Sequence, residues 1–210
     1  NITKYVRVGT DNLFVAVVSN AASDYIAPIC DCGDFSKMGG IYRPVRIVST
    51  SRVHLSSFSP CVEVLDGSAR VAAEIQLENN DAADARITVT AEVSGEGAVL
   101  SAQEEFTVSR GEIQPVALEM EIPEPHLWDG VRDPFLYTMK VSISVDGECV
   151  DSLSKQFGVR SFSFDREKGF FLNGNHIPLH GVNYHQDAPK GGWAMSQKQR
   201  ERDYAMMRDM

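Results

Sequence analysis

From about Ser51 to Ser163, apolar and polar residues alternate at period two, and short turn signals break the pattern into segments. Ile87, Val89, Ala91 and Val93 are separated by Thr88, Thr90 and Glu92, so an extended chain there has one apolar and one polar face. Val116, Leu118, Met120 and Ile122 alternate in the same way with Ala117, Glu119 and Glu121, and Val141, Ile143 and Val145 with Ser142 and Ser144. Asp66-Gly67, Glu78-Asn79-Asn80-Asp81, Ser94-Gly95-Glu96-Gly97 and Arg110-Gly111 punctuate the run, and Asp146-Gly147 supplies a two-residue hairpin turn. Valine outnumbers leucine 22 to 11, which favours strands because β-branched side chains suit a pleated surface. Seven or eight strands over this stretch predict an immunoglobulin-like antiparallel β-sandwich, so the fold class is mainly β. Trp128 is the expected large core anchor, and Pro125 and Pro134 should break the ladder before a strand over Leu136–Val145.

The flanks read differently. Asn1 to Tyr5 leads into a strand-like stretch, Leu13–Val18, with no charged segment followed by an apolar one ahead of it. After the sandwich, Gly169-Phe170-Phe171-Leu172, Asn173-Gly174 and His176–Val182 predict a hairpin followed by a strand. A loop with Gly191 and Gly192 comes next, then helix formers over Gln197–Met210 with Asp203, Met206, Met207 and Met210 at helical spacing. Hairpin, strand, loop and helix are how a βα unit begins. The helix has no Gly or Asn to cap its end and no partner for its apolar side. It is either a terminal helix docked on its own domain or the first helix of an α/β domain that continues further, and the missing cap and partner favour the second.

Composition removes whole classes of function. There are 20 Lys+Arg against 29 Asp+Glu, a net charge of −9, and no basic stripe to neutralise phosphates, so nucleic acid is not an expected partner. No apolar run reaches the roughly 20 residues a membrane helix needs, so no membrane partner is expected either. Cys30, Cys32, Cys61 and Cys149 form no paired CxxC set; free thiols or a single disulfide both fit. His176, His180 and His185 suggest a metal, but residues four apart on a strand lie about 13 Å apart, too far to share one ion, so no metal site is expected. No nucleophile elbow, phosphate loop or dinucleotide fingerprint occurs. Nor do the isolated carboxylates Asp34, Asp187 and Glu104-Glu105 select themselves as a catalytic pair.

Three strings carry a resemblance. Asp34-Phe35-Ser36-Lys37-Met38-Gly39-Gly40-Ile41-Tyr42-Arg43-Pro44-Val45 resembles the end of the sugar-binding jelly-roll domain of glycoside hydrolase family 2. Pro125-His126-Leu127-Trp128, Pro134-Phe135-Leu136-Tyr137 and Phe157-Gly158-Val159-Arg160 resemble that family's immunoglobulin-like domain. Gly169–Gly174 followed by Leu179-His180-Gly181-Val182-Asn183-Tyr184-His185-Gln186-Asp187 is similar to the start of its (β/α)₈ barrel. The resemblance implies an incomplete jelly roll over residues 1–50, an immunoglobulin-like sandwich over 51–163 and the start of a catalytic barrel over 164–210.

It implies a fragment of a retaining exo-glycosidase acting on terminal β-D-galactosides, with both catalytic glutamates beyond Met210 and therefore no catalytic residue within the chain. A β-glucuronidase or β-mannosidase of the same family is the alternative, and a non-catalytic carbohydrate-binding or adhesion sandwich is the rival from another class. By the same resemblance Asp34, His185, Asp187 and Asn183 are the substrate-binding residues, with Asn183 fixing the loop through the backbone. Asp34 and His185 each have an ordinary structural reading as well. Arg43 and Arg160 are read as bridges between domains. Tyr184 stands where the family more often has Arg, which removes a charge from that mouth. The expected partner is a β-linked saccharide, with a homo-oligomer also allowed. No cofactor is expected in this segment, although the full-length enzyme could hold a magnesium or sodium ion. Residues 51–163 should be compact, and the flanks partly disordered or covered by self-association.

Overall fold

Seven long strands form where the sequence alternates: β1 Val53–Val64, β2 Ser68–Asn79, β3 Ala85–Gly95, β4 Ala98–Val108, β5 Ile113–Pro123, β6 Tyr137–Val145 and β7 Glu148–Phe157. They are seen in a computed structural model that describes residues 2–19, 39–185, 187–188 and 190–210. All pairings are antiparallel, in a three-stranded sheet ordered β1-β2-β5 and a four-stranded sheet ordered β4-β3-β6-β7. The two sheets stack as a sandwich, with apolar residues of both inner faces in a single core.

The alternation decides which face is inside. Ile87, Val89, Ala91 and Val93 are buried along β3, and Met139, Val141 and Ile143 along β6, while the threonines and serines between them point outward. Each fully buried valine, leucine, isoleucine, phenylalanine or methionine contributes roughly 1.5–3 kcal/mol, so the core supplies most of the driving force for this layer. The hairpin turns follow their chemistry: Asp146 and Gly147 have φ of 51° and 82°, the mirror-image turn that matches strand twist. One buried polar side chain sits in the core. Asn79 is fully buried, its amide donates to the carbonyls of Ala83 and Val108 (2.9 Å each), and its oxygen accepts from the Asp81 amide (2.8 Å). It ties the β2–β3 connection to the end of β4 and leaves no donor unpaired.

Trp128 is not inside this core. It is half-buried at one end of the sandwich, where its amide donates to the Val159 carbonyl (2.8 Å) and the Arg160 guanidinium lies 4.8 Å from its ring centre. The core is instead filled by aliphatic side chains together with Phe58, Met139, Tyr137 and Phe157. Gly158 is what lets the indole lie so close: a Cβ there would fall 2.7 Å from that of Trp128.

After β7, a small antiparallel sheet joins β8 Phe162–Asp165, β9 Gly169–Leu172 and β10 Asn175–His176. The β9–β10 hairpin turns at Asn173-Gly174 as predicted, with φ of 50° and 77°. The strand expected to run on to Val182 stops at His176, and neither Leu13–Val18 nor residues 177–182 has a ladder partner among the described residues. An extended segment becomes a strand only when a neighbour takes its backbone groups, and sequence alternation alone cannot provide one.

The chain divides into two compact units, Val48–His180 and the two end stretches Asn1–Ile47 and Gly181–Met210 together. Among its described residues, the second unit holds a turn of 3₁₀ helix, Thr3–Tyr5, and the α-helix α1, Gln197–Arg208. Ser196 starts α1 with a capping box: its hydroxyl accepts from the Gln199 amide (3.3 Å) while the Gln199 side chain accepts from the Ser196 amide (3.1 Å). The helix ends two residues short of Met210.

Candidate functional site

Three of the four predicted substrate residues lie on one short stretch of the second unit. Asn183, His185 and Asp187 are all exposed, and the Asp187 amide donates to the His185 carbonyl (2.9 Å), tying the two together through the backbone. The fourth, Asp34, lies outside the described residues. Between Asn183 and His185, Tyr184 turns the other way and is half-buried, its hydroxyl donating to Asp203 on α1 (2.7 Å) and lying 3.5 Å from the Met195 sulfur. The hydrogen bond to Asp203, with some desolvation, pushes the Tyr184 phenol up to about 12, because a phenolate would face a carboxylate. The residue that replaces the expected arginine therefore stays neutral and fastens the 183–187 stretch to α1.

The loop that follows is tight. Gly192 donates to the Ala188 carbonyl (2.9 Å) and Ala188 to that of Gly192 (3.1 Å), and Met195 is buried. Arg200 of α1 donates to the Met195 carbonyl (2.8 Å). Trp193 in this loop meets the ring of Tyr42 edge-on at 5.8 Å, and Arg43 lies 5.2 Å from the Tyr42 ring centre. The Gly40-Ile41-Tyr42-Arg43 string is thus brought, within the same unit, to the loop that follows Asp187. Arg43 and Arg160, expected to bridge domains, each stack on an aromatic ring of their own unit.

A second feature belongs to Val48–His180. A cleft of about 740 Å³ opens between the loop carrying Trp128 and the β8–β10 sheet, walled by Trp128, Phe162, Phe164, Phe170 and Leu179, with Arg160 at its side. Phe162 and Phe164 are largely exposed there, stacking on Phe170. Neither this cleft nor His126, at the start of the same loop, is among the site residues predicted from the sequence. The signal for the first was present in Phe162-Ser163-Phe164, an alternating pair of aromatics too large to leave in water without reason. Among the described residues, no group of three His, Cys, Asp or Glu is placed to hold a metal ion.

Comparison with known proteins matches this architecture. The sequence profile of glycosyl hydrolases family 2 covers residues 53–160, which is the sandwich and the short link to β8. The chain belongs to this family. Over its whole length this family 2 chain is 34% identical to a β-glucuronidase of Bacteroides fragilis and 26% identical to the β-galactosidase BoGH2A of Bacteroides ovatus. It spans 31% of the first relative's length and 24% of the second's. A crystal structure of Bacteroides uniformis β-glucuronidase 2, covalently bound to cyclophellitol-6-carboxylate aziridine, superposes with a TM-score of 0.82 at 27% identity. That match covers 91% of this chain and 24% of the other.

Proposed function

We propose that this chain is a segment of a longer retaining exo-glycosidase that removes a terminal β-linked sugar, with the acid/base and nucleophile glutamates C-terminal to Met210. The observation that carries the reading is the end-to-end match to a β-glucuronidase of which the chain is 31%. Residues 1–50 are then the end of a jelly roll, 51–163 the immunoglobulin-like sandwich and 164–210 the first strand and helix of the barrel. In such an enzyme two carboxyl groups about 5–5.5 Å apart flank the bond: one attacks the anomeric carbon as the other protonates the leaving oxygen, then serves as base for water.

This segment's contribution is to bind the sugar. His185 and Asp187 offer a ring N–H and a carboxylate to its hydroxyls, Asn183 fixes their loop, and Asp34 is proposed, by family resemblance alone, as a further carboxylate for the sugar. Two observations support that role. Tyr184 anchors the stretch from behind, and the Tyr42–Trp193 contact brings Tyr42 to the loop that follows Asp187. A hydrogen bond that shortens as the ring flattens toward the oxocarbenium ion raises kcat and not only affinity. On the sugar, identity favours a β-glucuronide, since the 34% relative is a β-glucuronidase. The β-galactoside reading rests on Asn183 and the His185-Gln186-Asp187 string and on the β-galactosidase at 26%.

The test is hydrolysis of nitrophenyl β-glucuronide and β-galactoside by the full-length parent, with this 210-residue chain as control. Turnover of one sugar by the parent alone is expected. No turnover of either would transfer the weight to a binding module.

A further inference from the structure

We propose that His126, as an imidazolium, clamps the loop between β5 and β6 to the β3–β4 turn, and that loss of its proton loosens the loop wall of the aromatic cleft. Both ring nitrogens face a carboxylate. His126 Nδ1 lies 2.5 Å from Glu96 Oε1 on the β3–β4 turn, and Nε2 lies 2.7 Å from Asp133 Oδ2 in the loop. A carboxylate can only accept, so both nitrogens must donate, and only the protonated imidazole carries two N–H groups. In the neutral ring one nitrogen lone pair would face a carboxylate oxygen at hydrogen-bond distance, and the two carboxylates would share one neutral donor.

Everything else around the ring holds it in place. The His126 amide donates to the Tyr137 hydroxyl (2.9 Å), and the ring stacks on Phe135 at 4.2 Å with only 10° between the planes. The titratable groups that face it are Glu96 from the β3–β4 turn, Asp133 from the loop and the Tyr137 hydroxyl from β6; Arg132 is turned to Asp129 instead (3.0 Å). The hydrogen bonds to Glu96, and then to Asp133, raise the His126 pKa from its usual value near 6.5. Glu96 has φ of 49° in a turn whose usual occupants are Asn, Asp or Gly, and its carboxylate meets the imidazole.

The clamp has a mechanical consequence because of where its loop goes next. Asp133 closes the turn in which the Asp129 amide donates to the Asp133 carbonyl (2.7 Å), and Trp128, Gly130, Val131 and Arg132 of that turn line the cleft. Once the imidazole is neutral it has one N–H left for two carboxylates, so one of the two links that join Asp133 through the ring to Glu96 is lost. The wall carrying Trp128 is then held by the Trp128 amide, the Arg160 stack and the Asn173 side chain, which donates to the Trp128 carbonyl (3.1 Å).

The test uses the 210-residue chain with Trp193→Phe, leaving Trp128 as the single tryptophan. Trp128 emission and the His126 imidazole NMR signals are followed from pH 5.5 to 9, with far-UV circular dichroism as a check on the fold. The expected result is one transition in Trp128 emission that co-titrates with His126 at a midpoint above about 6.5. It should be lost in His126→Gln and moved toward 6.5 in Glu96→Gln and in Asp133→Asn, each of which leaves the sandwich intact. The inference is overturned by emission that stays flat while the imidazole titrates. It is equally overturned by a transition that persists in His126→Gln, or by unchanged midpoints in both carboxylate variants. None of these readouts depends on glycosidase activity.

Discussion

In Val48–His180 the apolar faces of seven strands meet one another, and residues such as Phe58, Ile75, Leu77 and Ile143 are almost completely buried. In the unit made of the two end stretches, only Ala188 and Met195 among the described apolar residues are buried, while Leu13, Val15, Val17 and Val45 are at least three-quarters exposed. The same kind of residue thus has opposite energetic weight in the two regions. The sandwich is held by its core. The end stretches are held by a few polar and aromatic ties: Tyr184 to Asp203, the Ser196 capping box, and Tyr42 against Trp193. Asn183, His185 and Asp187, proposed to bind sugar, lie in the second region. On that proposal, stability and recognition fall to different parts of the chain, the pattern of a rigid scaffold that positions binding loops.

Deleting apolar volume on each side is the most severe way to break this contrast. Phe58→Ala should destabilise the sandwich by about 3–5 kcal/mol, whereas Val17→Ala should stay within about 0.5 kcal/mol, both read from urea midpoints. Equal losses would mean that the end stretches have a core of their own. Asn79→Ala comes next. It strands the carbonyls of Ala83 and Val108 and the Asp81 amide, and should lower the urea-unfolding free energy of the sandwich by about 2–3 kcal/mol. In the full-length parent, His185→Ala should reduce kcat/KM by about a hundredfold, near 2.7 kcal/mol of transition-state binding, while leaving the thermal midpoint of the sandwich unchanged. A lowered midpoint with normal kinetics would place His185 with the scaffold instead.

Smaller effects sharpen the boundary. Ser196→Ala removes the cap of α1 and should cost about 1 kcal/mol of local helix stability, seen as faster amide exchange over Gln197–Glu201 with no change in the sandwich. The pH dependence of the sandwich should carry the mark of His126. Its pKa is raised in the folded state, so its contribution is complete below about 6.5 and is lost as pH rises through the folded value. Denaturation midpoints in wild type and His126→Gln should accordingly differ at pH 6 and converge toward pH 9. Because the ring is partly exposed, added salt should shrink the difference.

How much of this could be read in advance depended on the range of the interactions. Strand positions in the sandwich follow from alternation that a few residues suffice to display, and the Asp146-Gly147 and Asn173-Gly174 turns follow from dipeptides. The capping box is equally local, since Ser196 and Gln199 stand three apart. Trp128 was misplaced because its size suggested a core position, whereas the close approach of Gly158 that fixes it comes 30 residues later. The His126 clamp joins residues 30 and 7 positions away, and nothing in the local sequence pairs them. Tyr184 looked like a missing charge and is instead a neutral strut, which only its distance to Asp203 reveals. Local periodicity specified the scaffold; the ties that orient the candidate site are made by tertiary contact.

The most direct test of the division between scaffold and chemistry is covalent labelling of the full-length parent with cyclophellitol-6-carboxylate aziridine, followed by peptide mapping. The account predicts a single labelled glutamate C-terminal to Met210, with no label on the 210-residue chain alone. Label on any carboxylate within residues 1–210 would contradict it.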